Sequence, residues 1–369
     1  MMRINDIISS TETTFSDVTI TGNFDFIYSF DPTPVEFNNT ELVFNNCTFE
    51  RGVRLFAATN LKKLIFNRCI FKGSLERAFE RNRDLETVEF NDCNTFAVTN
   101  ALGLFEDCRR LKNLKIPICT RNMSDMAGMF EDCASLEHLD LSTFDTSYNI
   151  NFNYMFKGCN KLEDINMNFD TSSGIHICNV FDECYSLKSV NVSNWTFMKV
   201  DKYATCLFRD CRSLKEIKIT IDNRFIKDIS QMFSGCEELV SVEIKLPVNS
   251  RINNMSSLFN RCSSLTDVSI TAPTEIKLKD ASKMFKRCEK LTSLALRKIK
   301  ITNDTCTYRM FDRCHALEQI DMNITCDEDL FKDCESLLLV NDKPYHEKVR
   351  ISLSILKPTI EIHNKPIYL

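Results

Sequence analysis

Cysteine is the residue type in this chain most able to do chemistry, with eighteen copies in 369 residues, and its spacing decides which chemistry is open to it. Ten copies, Cys108, Cys133, Cys159, Cys184, Cys211, Cys236, Cys262, Cys288, Cys314 and Cys334, each follow a phenylalanine by three residues and precede a leucine by three. A zinc site needs four converging ligands, usually from short-spaced pairs. There is no C-x-x-C, and His138, His176, His315, His346 and His363 fall in no ligand spacing. A catalytic thiol needs an electropositive, partly exposed setting, and ten copies of one nucleophile serve no purpose. Disulfides between adjacent repeats are sterically conceivable, yet equivalent side chains in a stack point the same way. The expected role is packing, as a column of small buried thiols. Cys47, Cys69 and Cys93 form a second group just past a strand pattern. No metal site and no cofactor are expected.

Other catalytic signatures are also missing. The sequence has no G-x-S-x-G, H-E-x-x-H, P-loop or G-x-G-x-x-G, so an enzyme is not expected. Asp-containing pieces such as FDTS at 144–147 read as turn chemistry, with the carboxylate accepting backbone hydrogen bonds. A formal charge of −5 argues against a general nucleic-acid or membrane-surface binder. No run approaches the ~20 apolar residues of a membrane span, and no export signal or wall anchor is recognised. The expected location is therefore cytoplasmic or virion-associated rather than cell surface, with the cysteines reduced.

The elements that must position these residues come from a repeat. FEDCRRLKNL starts at Phe105, FEDCASLEHL at Phe130, FKGCNKLEDI at Phe156 and FSGCEELVSV at Phe233, with a period of 25 to 27 residues through the middle of the chain. Upstream, FERNRDLETV at Phe79 keeps the frame with Asn82 in the cysteine place. Such regularity implies a stacked array whose units bury their apolar sides only against neighbours. Leu139-Asp140-Leu141 alternates as a half-buried strand. Met123, Met126 and Phe130 recur at helical spacing, so each unit is read as a strand, a turn, and a short helical or 3₁₀ return. Strands repeat every ~4.8 Å while helices pack about 8–10 Å apart, which predicts strong curvature with the sheet inside. Residues 1–40 are assigned to an N-terminal arm and cap, 41–340 to the solenoid and 341–369 to a C-terminal cap.

The frames LKKLIFNRCIF (61–71) and LVFNNCTF (42–49) resemble leucine-rich repeats, and NMSDMAGMFEDCASLEHLDLSTFDTS (122–147) resembles the roughly 26-residue unit of BspA-like leucine-rich-repeat surface proteins. That resemblance spans about residues 42–340. It implies an α/β solenoid, a curved leucine-rich-repeat array with a parallel concave β-sheet and helical or 3₁₀ returns on the convex side. It also implies recognition of a macromolecule, most plausibly a protein, in adhesion or receptor-type contacts. Related repeats in viral and phage proteins imply the alternative, a structural component of a particle.

Strand alternation places one residue per unit on the outer sheet face: Glu89, Lys115, Asp140, Asn166, Asn191, Lys218, Glu243 and Asp321, with Ser269 and Ala295 in the same row. A second row includes Asn91, Ser193, Thr220, Lys245 and Arg297. Both rows are polar, mixed in sign and free of aromatic platforms, so they favour a protein partner and give a glycan no support. Residues 275–300 hold nine Lys or Arg against three acidic residues. Within them Lys277, Lys279, Lys283, Lys286 and Arg287 form a basic patch, read either as the solvated outer side of two helical returns or as a dock for an acidic partner.

Overall fold

The computed structural model describes residues 1–21, 35–50, 56–193, 195–324, 328–331, 334–344, 361–362 and 365–366. The chain winds into a parallel-strand solenoid of about twelve turns. Thr14–Ser16, Glu41–Asn45, Lys63–Asn67, Thr87–Asn91 and Asn113–Lys115 form a first sheet. His138–Asp140 pairs with Asp164–Asn166. Glu216–Thr220, Ser241–Lys245 and Asp267–Thr271 form the next segment, and Ser293–Ile301 pairs with Gln319–Ile324 beyond it. Pairing is parallel and in register from layer to layer, as in Lys218 opposite Glu243 opposite Ser269. Along Glu216–Thr220 every second residue is buried, so the period-2 reading holds.

The interior is organised by one aromatic column. Twelve phenylalanine rings, from Phe56 through Phe79, Phe105 and Phe130 to Phe331, stack one per layer with centroids 5.1–5.9 Å apart. Phe44, Phe66 and Phe90 add a second stack in the first layers. Fully burying one such side chain is worth about 1.5–3 kcal/mol.

The cysteines beside this column do more than fill space. Each Sγ donates to the carbonyl of the column phenylalanine one layer earlier: Cys108 to Phe79, Cys133 to Phe105, and so on to Cys314 on Phe285, at 3.0–3.2 Å. The same carbonyl accepts the N–H three residues on, as Phe105 O does from Cys108 N at 3.1 Å. Cys47, Cys69 and Cys93 repeat the device on the carbonyls of Phe15, Phe44 and Phe66 at 3.3–3.4 Å. Asn82, in the cysteine place of its unit, donates its amide to Phe56 O instead. The substitution thus keeps a donor and not merely a volume.

Of the helical or 3₁₀ returns expected from the sequence, a 3₁₀ return occurs at Glu328–Phe331, and the α-helix of the described residues is Ile4–Ile8, outside the returns. The returns between residues 77 and 313 are runs of tight turns carrying two left-handed residues four apart. The pairs are Gly103 and Asp107, Gly128 and Asp132, Tyr154 and Gly158, Cys206 and Asp210, Lys283 and Arg287, and their counterparts in the other layers. Left-handed residues end helices rather than extend them. Alternate N–H groups reach the next layer (Ala101 to Asp125 O, Gly103 to Ala127 O, Phe105 to Met129 O, at 2.8–2.9 Å), while those between close i to i−3 turns. A four-residue turn repeat brings residues four apart to one side, the spacing a helix face also has. The sequence pattern was therefore degenerate. Hydrogen bonds set the layer step on both sides of the solenoid, so the wedge expected from helix-wide returns has no source.

Corners are tied across layers by a buried threonine column. Thr120 Oγ1 donates to Asp145 O and accepts from Asp145 N, and Thr146 does the same with Asp170, at 2.8–3.0 Å. In the FDTS corner, Asp145 accepts from Ser147 N at 3.1 Å, as its turn chemistry predicted. At the N-terminal end, Met2–Arg3 pairs with Thr19–Thr21, and Ile4 and Ile7 are buried, so these residues cover the first layer. At the other end Leu339–Val340 pairs antiparallel with Lys343–Pro344 and breaks the parallel stack. Most of 341–369 lies outside the described residues.

Burial pushes the column thiols Cys108, Cys133, Cys159, Cys184, Cys211, Cys236, Cys262, Cys288 and Cys314 well above the ordinary thiol value, and Cys206 up to about 11. A native value raised above the unfolded one contributes stability that is complete below pH ~8.5 and is lost as pH rises toward the raised values. Unfolding free energy will fall by about 1.4 kcal/mol per pH unit for each such thiol above that point, and Cys236→Ala will flatten the slope by one such increment; urea midpoints at pH 7.5, 9 and 10 measure it. In the native protein at pH 8, a polar alkylating reagent will label exposed Cys119 and Cys306 promptly and spare the column. Gly158 has φ 73°, and an added Cβ meets the Asp132 carboxylate. Gly158→Ala will therefore lower stability by roughly 1–3 kcal/mol in the same urea assay.

Candidate functional site: a cleft on the sheet face

Every residue of the predicted outward row faces away from the core, and register brings neighbours together in pairs. Glu89 lies opposite Lys115. Asp140 lies opposite Asn166 and accepts its amide at 3.0 Å. Lys218 lies opposite Glu243, and Asp321 lies opposite Ala295 while pairing with Arg297. Asn191 is exposed but belongs to no strand. On the first layers the face carries an amide ladder: Asn91 donates to Asn67 at 3.0 Å, Asn67 to Asn45 at 2.8 Å, and Lys115 to Asn91 at 2.7 Å.

The sheet is interrupted between Asp164–Asn166 and Glu216–Thr220, because the layer at 188–193 forms no ladder. In the FDTS layers Phe144 or Phe169 turns the corner, whereas Trp195 takes that role in this layer and stacks on Phe181 at 6.1 Å. The larger indole sits against the next strand, and a shallow cleft of about 170 Å³ opens there, lined by Val192, Ser193, Trp195, Lys218, Thr220, Glu243 and Lys245 among others. Trp195 is 7% exposed, and its indole Nε1–H is buried with no hydrogen-bond partner among the described residues. Across the mouth, Glu243 pairs with Lys245 at 3.1 Å and with Lys218 at 3.7 Å. The hydrogen-bonded Lys245 ammonium, reinforced by Lys218, holds the Glu243 carboxyl below its usual range. Hydrogen bonding from Ser142 does the same for Asp140.

This arrangement offers hydroxyls, a charge cluster and an unspent donor beside an apolar floor. Among the described residues no group of three His, Cys, Asp or Glu could hold a metal, and no helix is long and apolar enough to cross a membrane. Of the eight row residues singled out from sequence, the cleft gathers Lys218 and Glu243. Trp195 was missed, although it is the single tryptophan of the chain and stands in a corner held by phenylalanine in the two layers before it.

The sequence-predicted basic patch is divided. Residues 293–301 are strand and not the outer side of a helical return, and Lys277 lies on the strand Ile276–Lys277, with Lys279 exposed beyond it. Lys283, Lys286 and Arg287 do come together, on the return side.

With this geometry in view, the comparisons with known proteins fall into place. Residues 204–338 match six copies of the BspA type leucine-rich repeat region. Residues 73–195 and 124–241 match the family described as a Mycoplasma protein of unknown function, DUF285. The fold is a parallel-strand solenoid. Its repeats over residues 204–338 are similar to those of the BspA type. No curated protein matches the sequence. Among solved structures, a leucine-rich cell surface protein of Faecalibacterium prausnitzii is 15% identical over 82% of this chain and 92% of its own, with a TM-score of 0.38. A leucine-rich repeat protein of Bacteroides ovatus is 17% identical over 77% and 78%, TM-score 0.39. One of Eubacterium ventriosum is 16% identical over 80% and 78%, TM-score 0.41.

A buried N–H without a partner costs about 1–3 kcal/mol. Trp195→Phe removes it and will leave the protein about as stable or up to about 1 kcal/mol more so, by urea unfolding, where a tryptophan needed only for packing would show a clear loss on truncation.

Proposed function

We propose that this chain is a non-enzymatic binding module that recognises a protein partner through the sheet face, with the cleft at Trp195 as its centre. The observation that carries this reading is the coincidence, at the break in the sheet before Glu216–Thr220, of a buried indole N–H that has no partner among the described residues with the Lys218–Glu243–Lys245 cluster. A polar, mixed-charge rim suits a wet protein contact. Anchors in such interfaces are enriched in tryptophan within a desolvated pocket. The row residues Asp140, Asn166 and Asn191 extend the same face on one side, and Glu89, Lys115 and Asp321 mark its outer reaches. BspA-type repeats are associated in general with protein–protein and adhesion contacts, which agrees with this reading.

A photo-crosslinking residue at position 218 will capture a partner that one placed at Lys290, on the other side of the layer, does not. Combined alanine substitution of Asp140, Asn166, Asn191 and Lys218 will weaken partner recovery at least tenfold, by roughly 1.4 kcal/mol or more. Equal recovery from the substituted and unsubstituted proteins would remove the sheet face as the binding surface.

A further inference from the structure

The left-handed positions of the returns form two straight columns along the solenoid, and their chemistry changes along its length. After Arg81 in the Asn82 layer, the column one residue before each cysteine reads Asp107, Asp132, Gly158, Glu183, Asp210 and Gly235, then is basic at Arg261, Arg287 and Arg313. The column four residues earlier starts at Arg77 and is basic again in the last two of these layers, at Lys283 and Arg309, after the uncharged Gln231 and Ser257. Glycine is the least strained residue at positive φ, and four layers use it. Arginine and lysine at these positions carry a conformational cost that their backbone role does not require. Local conflict of this kind marks functional positions.

We propose that the cleft on the return side between Arg261 and Arg309 is a binding site for a compact phosphate-type oxoanion. The cleft, of about 260 Å³, is walled by Arg261, Lys283, Lys286, Arg287, Tyr308 and Arg309. Two of its cations are already satisfied: Lys286 pairs with Asp312 at 2.5 Å and Arg261 with Glu237 at 3.0 Å. Among the described residues Lys283, Arg287 and Arg309 have no carboxylate partner within ion-pair distance, and Arg287 Nε is buried with no acceptor at all. Arg309 is held over the Tyr308 ring at 5.1 Å, which orients its guanidinium. Adjacent layers lie ~5 Å apart, so these cations are close like charges.

The arginines of the first layers show the contrast. Arg77 pairs with Glu80 and Glu106, Arg83 and Arg109 with Asp107, and Arg110 with Asp84. There the protein supplies its own anions; in the later layers it does so for Arg261 and Lys286, and among the described residues not for Lys283, Arg287 and Arg309. A single carboxylate would balance one charge, whereas a phosphoryl group presents three acceptor oxygens to converging guanidinium and ammonium donors. An extended polyanion fits poorly, because the basic stretch gives way to Gly235 and the acidic column within three layers, and Glu237 and Asp312 flank it. The site lies on the return side and is independent of the sheet-face reading.

The test uses the full chain and calorimetry with three probes: inorganic phosphate, the peptide Ala-Gly-phosphoSer-Gly-Ala, and its unphosphorylated twin. Because positions 287 and 309 have φ of 62° and 54°, Arg287→Gly with Arg309→Gly removes the guanidinium groups without backbone strain, and Gln231→Gly, at φ 57° outside the cleft, is the control. Expected are phosphopeptide binding at least tenfold tighter than the twin, competition by phosphate, a tenfold or greater loss in the double variant, and no change in the control. Phosphopeptide tighter than phosphate assigns the group to a protein partner; equal affinity assigns it to the free ion. Equal binding of the two peptides, or an unchanged double variant of native circular dichroism, would overturn the proposal. So would binding of a long RNA or of phosphatidylserine vesicles that phosphate and phosphopeptide fail to displace. Lys283→Gln, which keeps the stem and removes the charge, gives the same reading should the double variant fold poorly.

Discussion

Everything in this solenoid depends on successive layers staying in register, and the thiol-to-carbonyl hydrogen bond is where that constraint is most localised. A phenylalanine carbonyl in one layer accepts from its own turn and from the cysteine of the next. A one-residue slip would empty both the carbonyl and the ring stack beside it, and would turn the strand's apolar residues toward water. A weak S–H donor contributes little by itself. Repeated along the column in a dry interior, beside rings stacked at 5.1–5.9 Å, it selects one register among many that simple burial would tolerate.

Left-handed residues recur twice per layer, most of them not glycine, each opposing the chain by roughly 1 kcal/mol. They persist because the turn they make aims alternate N–H groups at the next layer, where the carbonyls of that layer's return accept them at about 2.8–2.9 Å. No single return would hold this shape alone. Cooperation between neighbours stabilises it, which is the behaviour expected of a quasi-one-dimensional array.

The two clefts arise from departures from regularity. On the sheet side, a tryptophan takes the place of a corner phenylalanine beside a break in the ladder, and its indole N–H has no partner among the described residues. On the return side, cations replace glycine and acid at strained positions, and three of them have no counter-charge among the described residues. In a repeat protein the conserved geometry is the scaffold, and a local exception is what gives one surface an identity of its own.

The repeat, the parallel sheet, the buried columns and the outward row were all legible in the sequence, because burial of a small unit against its neighbours imposes period and alternation on the residues themselves. Asn82 in a cysteine place was a sign of a donor, and the Asp, Gly or Arg recurring just before each cysteine a sign of left-handed turns, that the sequence reading passed over. The returns were misread as helical because a chain of four-residue turns and a helix both align residues four apart; only hydrogen bonding between layers distinguishes them. Which of the charged residues meet was likewise undecided. Lys283 and Arg309 are neighbours, and Lys218 and Glu243 share a cleft, because stacking converts a separation of 25 or 26 residues in the chain into one layer step.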